Sequence, residues 1–194
     1  MAGNSYDKYR TGNPIHRSLV RRFLHDVRGL VETIGPASVV EVGCGPGDLA
    51  ALLFPGGAVV DYVGVDVSAE QVEQANRVHP ELTFRVASAY GLPFEDDSVD
   101  LVLACEVLEH LEDPAVAMAE IARVGRAAIV SVPWEPVWRL ANLVRGSYVA
   151  SLGNTPGHLQ HFSRRRIRRL VGEHLVLRAE RRPFPWTVLL AASP

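Results

Sequence analysis

Between Cys105 and Asp113 the chain reads CEVLEHLED, which sets Glu106, Glu109 and His110 directly behind the apolar run SVDLVLA. Carboxylates and imidazoles are the groups that bind divalent metals and move protons near neutral pH. If the segment coils helically, positions i, i+3 and i+4 share one face and the three groups converge. Further on, GHLQHF carries His158 and His161. Glu106, Glu109 and His110, joined by His161 or His158, would form a shell of two carboxylates and two imidazoles around a divalent metal, open to substrate oxygens. A metal-free reading stands beside it: His110 fixes the loop, Glu109 is solvated, and His158 or His161 acts as general base.

A second set lies in VVEVGCGPGDLA, where Glu41, Gly43, Gly45 and Gly47 run from a strand pattern into a helix pattern. Glycines let the backbone approach a ligand closely, and a helix amino terminus favours an anionic group. The spacing is G-x-G-x-G, whereas the dinucleotide fingerprint is G-x-G-x-x-G. Asp66 ends the next strand pattern, 23 residues after Gly43. A carboxylate there accepts from both ribose hydroxyls of an adenosine-containing cofactor.

Both sets need elements to hold them. Asn13-Pro14 is a helix start, and Ile15, Leu19, Val20, Phe23, Leu24, Val27, Leu30 and Val31 form its apolar stripe. ASVVEVG, AVVDYVGVDV, LTFRVAS, SVDLVLA and RAAIVSVP read as five buried strands. Helices are expected after the glycine loop, after the capping box Ser68 to Gln71, and after Asp113-Pro114. Alternating strands and helices with near-continuous apolar strands predict an α/β fold with an open parallel sheet covered on both faces. The ending changes character: a basic helix from Ser163, then LVLRAERR and WTVLLAAS with no crossover between them, which should pair antiparallel.

The 194 residues, 47% hydrophobic, suit one core and a single domain over 1–194. Residues 1–33 read as an amino-terminal helical lid, with Tyr6 and Tyr9 as candidates to close over the cofactor. Residues 134–162 read as an insertion on the acceptor side, with Trp134, Trp138, Leu143 and Tyr148 as pocket lining or plain core. A net charge of -2 argues against a protein that coats nucleic acid, although SRRRIRRL puts Arg164, Arg165 and Arg166 at the helix end whose dipole disfavours cations. That run marks either an anionic partner or a solvated face. Cys44 and Cys105 read as buried, reduced thiols of a cytoplasmic protein. No apolar run approaches the roughly 18 to 20 residues that span a bilayer.

VVEVGCGPGDLA, YVGVDVS, ASAYGLPFEDDSVDLVLACEVLEHL and the antiparallel ending together resemble the class I S-adenosylmethionine-dependent methyltransferases, within their broad type-11 group of small enzymes. The resemblance implies a Rossmann-like, doubly wound sheet of seven strands, mostly parallel with an antiparallel last strand. It implies that Glu41, Gly43, Gly45 and Gly47 surround the methionine moiety, Asp66 takes the ribose and Val67 packs on the adenine. Cys105 and Glu106 would lie near the methionine end. Ser88 and Ala89 stand where the family often has an acid beside the adenine amine, so Ser88 is a departure that the Ala89 backbone would cover. The E-x-x-E-H cluster with a later histidine is similar to metal-dependent RNA 2′-O-methyltransferases.

The leading expectation is methyl transfer to a small-molecule acceptor, at a hydroxyl, with RNA 2′-O-methylation assisted by a metal as the alternative. A silent binding module and a nicotinamide reductase are disfavoured by the intact glycine loop with Asp66 and by the G-x-G-x-G spacing, respectively. A homodimer is compatible with the sequence.

Overall fold

The computed structural model describes residues 13–56, 61–134 and 159–194. Helix α1 (Pro14–Ile34) starts where the sequence marks it: Asn13 Oδ1 accepts from the amides of Ile15 and His16, and Gly35 ends it in the left-handed conformation. Its stripe of Val20, Phe23, Val27, Leu30 and Val31 is buried. Replacing Phe23, 1% exposed, with alanine would cost about 3–5 kcal/mol. The helical part of the expected lid is therefore a core layer, while residues 1–12 lie outside the described residues.

Seven strands follow: β1 (Ser38–Val42), β2 (Asp61–Asp66), β3 (Thr83–Val86), β4 (Leu101–Cys105), β5 (Ala127–Pro133), β6 (Val176–Arg181) and β7 (Trp186–Ala192). Between them lie α2 (Asp48–Leu53), α3 (Ala69–Val78), α4 (Pro114–Val124) and α5 (Arg164–Gly172). The sheet order is β3-β2-β1-β4-β5-β7-β6. The first five strands are parallel, and β7 is antiparallel to both β5 and β6, as the missing crossover predicts.

Alternate strand residues feed two cores. Val39, Leu101, Leu103, Ile129 and Val188 pack with α1, α2 and α3 on one face. Val40, Val102, Val130 and Leu189 pack with α4 and α5 on the other. Several strands are shorter than expected, β3 and β4 for visible reasons. β4 begins at Leu101 because Asp100 turns its carboxylate to the amides of Ala37 and Ser38. β3 is limited to the four residues that pair with Val63–Asp66.

Side-chain caps open α3, α4 and α5, whereas α2 has none. Asp113 Oδ1 accepts from Ala115 and Val116 at α4, and Ser163 Oγ accepts from Arg166 at α5. The capping box at Ser68 is half formed: its hydroxyl accepts from the Gln71 amide, but its own amide donates to Asp66 Oδ1 at 2.9 Å. That difference ties the helix to the candidate site.

Candidate functional site

The order of strands reverses between β1 and β4, and the crevice beyond the carboxyl ends of such strands is where open α/β sheets bind ligands. The glycine loop leaves β1 there. Gly43, Gly45 and Gly47 have φ of +68°, +51° and +82°, a region that side chains strongly disfavour. The amides of Gly43 and Cys44 both donate to the Val65 carbonyl, at 2.7 and 3.1 Å, which anchors the loop to β2. A Cβ on Gly47 would lie 2.6 Å from the Phe84 ring, whereas one on Gly45 would meet only Gln71 Oε1, at 3.9 Å. Gly45 therefore borders open space.

Asp66, half-buried at the end of β2, accepts from the Gly45 amide at 3.0 Å through Oδ2 and from Ser68 through Oδ1. A carboxylate oxygen has more than one acceptor site, so both remain able to take a hydroxyl. Val67, next in sequence, is 69% exposed, an apolar surface beside that carboxylate. Open backbone, a held carboxylate and a bare valine in one row suit an adenosine-bearing ligand. Ser88 is exposed and its hydroxyl accepts from the Tyr90 amide at 3.2 Å. Ala89 is half-buried against the core.

Glu41 is buried in β1, where its Oε2 accepts from the Tyr62 hydroxyl at 2.6 Å. Burial and the neighbouring carboxylate push the Tyr62 phenol well up. Burial, then Glu41 and Asp66, push the Cys44 thiol up as well. Cys105 is half-buried rather than buried.

At the end of β4 the chain does not coil helically as the spacing of CEVLEHLED invites. Glu106 has φ +59°, and only Leu108–His110 form a single 3-10 turn. Glu106 and Glu109 thus do not share a helix face. The Glu106 carboxylate accepts from the indole Nε1 of Trp186, and its amide donates to Ser131 at 2.9 Å. Glu109, expected to be solvated, is 1% exposed. Its carbonyl accepts from the amides of Leu159 and Gln160 at 2.8 and 2.9 Å, so residues 159–160 dock on the EVLEH turn. His110 is half-buried; His161 is exposed, with its carbonyl held by Arg166 at 3.0 Å.

Among the described residues no three His, Cys, Asp or Glu side chains come close enough to hold a metal ion. Glu106, Glu109, His110 and His161 therefore do not form the expected shell among themselves. His158, Trp138, Leu143, Tyr148, Tyr6 and Tyr9 lie outside the described residues.

Two arginines of the basic run have local duties. Arg164 stacks over the Trp134 ring at 4.1 Å, and Arg166 reaches Gln160 Oε1 at 2.7 Å. Local reading missed Tyr62, Trp186 and Val107. The only hint was that buried phenols and indoles need a polar partner.

The family described as "Methyltransferase domain" matches residues 40–128, the stretch that builds the crevice. The chain carries a class I methyltransferase domain. S-adenosylmethionine is the cofactor of that domain type. The chain is 40% identical over 108 residues to an uncharacterized protein of a Streptomyces fradiae transposon, covering 52% of this chain and 30% of that one. It is 31% identical over 136 residues to an uncharacterized methyltransferase of Schizosaccharomyces pombe, covering 65% and 52%. In neither does it span more than about half of the relative's length. The fold matches the magnesium protoporphyrin IX methyltransferase of Synechocystis PCC 6803 with bound S-adenosylhomocysteine, at a TM-score of 0.72, 21% identity, 96% of this chain and 91% of that one. It also matches a complex of the Haloferax volcanii Trm112 methyltransferase activator with a methyltransferase, at 0.70, 19% identity and 92% of each chain. Among the described residues no helix is long and apolar enough to cross a membrane.

Proposed function

We propose that the protein transfers a methyl group from S-adenosylmethionine to a hydroxyl of a small-molecule acceptor. The observation that carries the cofactor half is the Asp66 carboxylate, held by the Gly45 and Ser68 amides beside exposed Val67. When bound, S-adenosylmethionine supplies an electrophilic methyl group on a sulfonium. This chain's task is then to hold the acceptor in line and relieve it of a proton.

In this reading Asp66 binds the ribose, Val67 covers the adenine and the Ala89 backbone lies at the base edge. The Gly43–Gly47 loop and Glu41 receive the methionine portion, with Cys105 and Glu106 on its far side. His110, half-buried beside the docked 159–161 segment, and His161 are the imidazoles offered for the hydroxyl proton, with His158 as the third. The hydroxyl preference rests on these imidazoles as candidate bases, and residues 134–162 are proposed to shape the acceptor pocket. The RNA alternative has less behind it, since Arg164 and Arg166 are engaged within the fold.

Calorimetric titration with S-adenosylhomocysteine tests the cofactor half: saturable binding that weakens by at least about tenfold in Asp66→Ala is expected, and no binding to the intact chain would sink it. Transfer of labelled methyl groups to a panel of phenols, alcohols and amines tests the acceptor half. Labelling of amines alone would overturn the hydroxyl assignment.

A further inference from the structure

A cavity of about 540 Å³ opens between α1 and the turn that joins β6 to β7. None of its lining belongs to the cofactor set. Arg21 and Arg22 of the helix face it together with Arg182 of the turn, and Ser18 and His25 add further polar groups. The one carboxylate in the lining is Asp26, and Glu180 pairs with Arg182 from outside it, so three guanidiniums meet two negative charges. Arg21 and Arg22 have no ion-pair or hydrogen-bond partner among the described residues. Arg182 donates through Nε to Glu180 Oε1 at 2.6 Å, which fixes its planar head. Phe184 also lines the cavity and is 49% exposed.

The unpaired guanidiniums of Arg21 and Arg22 on α1 face that of Arg182, which Glu180 pairs from the other side; like charges so placed repel unless an anion joins them, and the fork geometry matches phosphate oxygens. A large aromatic ring left bare beside them offers a face to an apolar or planar group. The cavity is an open surface depression of small-molecule size rather than an enclosed site. It is distinct from the arginines of α5, which sit on the opposite face of the sheet.

We propose that this cavity binds a phosphate monoester carried on a planar or apolar group. Arg21, Arg22 and Arg182 hold the phosphate, Ser18 and His25 supplement them, and Phe184 contacts the carrier. The two walls run directly into Phe23 and Trp186, whose rings meet at 5.1 Å. The ligand site thus adjoins the packing that supports Glu106.

The test is calorimetry on the full chain with phenyl phosphate and inorganic phosphate, with and without S-adenosylhomocysteine, so that failure at the cofactor site is read separately. One saturable phenyl phosphate site is expected, weakened about tenfold or more in Arg21→Ala and in Arg22→Ala. Phe184→Ala should weaken phenyl phosphate but leave inorganic phosphate unchanged. Arg77→Ala, on α3, should alter neither, and circular dichroism confirms that each variant is folded. The proposal is overturned if phenyl phosphate shows no saturable binding, or if the arginine variants bind it as well as the parent. It is equally overturned if only a single-stranded oligonucleotide binds, with steep salt dependence, which would make this edge a polyanion surface.

Discussion

A Cβ on Gly43 would stand 2.6 Å from a methyl carbon of Val107, so the loop leaving β1 and the loop leaving β4 touch across the switch point with no room for a side chain. Gly43→Ala is expected to lose about 2 kcal/mol or more in urea denaturation, from the clash and the positive φ together. Adding Val107→Ala should recover part of that loss, since it restores space but not backbone freedom. A double variant no more stable than Gly43→Ala would mean that the contact is not the cause.

Asp66 serves the fold and the ligand at once. Asp66→Ala removes the acceptor for two amides and should lower stability by about 2 kcal/mol, while weakening S-adenosylhomocysteine by at least about tenfold. Asp66→Asn keeps one acceptor oxygen, so it should retain more stability than affinity. Parallel thermal melts and titrations separate the two effects.

The framework was legible because its signals are local. Asn13-Pro14, Asp113-Pro114 and Ser163 each cap the helix they announce, and alternating apolar runs give the sheet. Asp66 was legible because strand end and glycine loop lie in one βαβ unit. The acceptor end was not. Helical spacing groups Glu106, Glu109 and His110 only if the backbone is helical, and the left-handed φ at Glu106 breaks that premise. The partners that position Glu41 and Glu106 lie 21 and 80 residues away, on neighbouring or distant strands that no local pattern connects.

Trp186→Phe isolates the long-range partner of Glu106. The ring contact with Phe23 is retained while the indole donor is lost, so destabilisation of about 1–2 kcal/mol is expected. If Glu106 is positioned by that donor, S-adenosylhomocysteine affinity should fall as well. An unchanged affinity with a lowered melting temperature would leave the bond a purely structural one.

The acid limb of stability should be set by two carboxylates. The Ala37 amide, with Ser38 and Arg126, holds Asp100 below its usual value, and Arg123, with the Leu92 amide, does the same for Glu120. Each is depressed in the folded state, so its contribution is complete above the unfolded value near about 4 and is lost as pH falls through the folded one. Melting temperatures measured downward from about pH 6 should drop in that region, and the drop should be shallower in Asp100→Asn and Glu120→Gln.

Arg123 also reaches the carbonyls of Leu92 and Phe94 and Asp96 Oδ1. Arg123→Ala should therefore loosen residues 90–97, seen as faster amide hydrogen exchange there than in β4.

The insertion of β7 between β5 and β6 bears on how the protein is made. On the ribosome β1 to β4 emerge before β7, and the half that carries the glycine loop can assemble before it follows. The outer edge of β5 stays bare until Trp186–Ala192 follow, and among the described strands β6 pairs with β7 alone. A chain clipped before Trp186 would thus expose the edge of β5 and leave β6 unpaired, two surfaces open to strand addition at once.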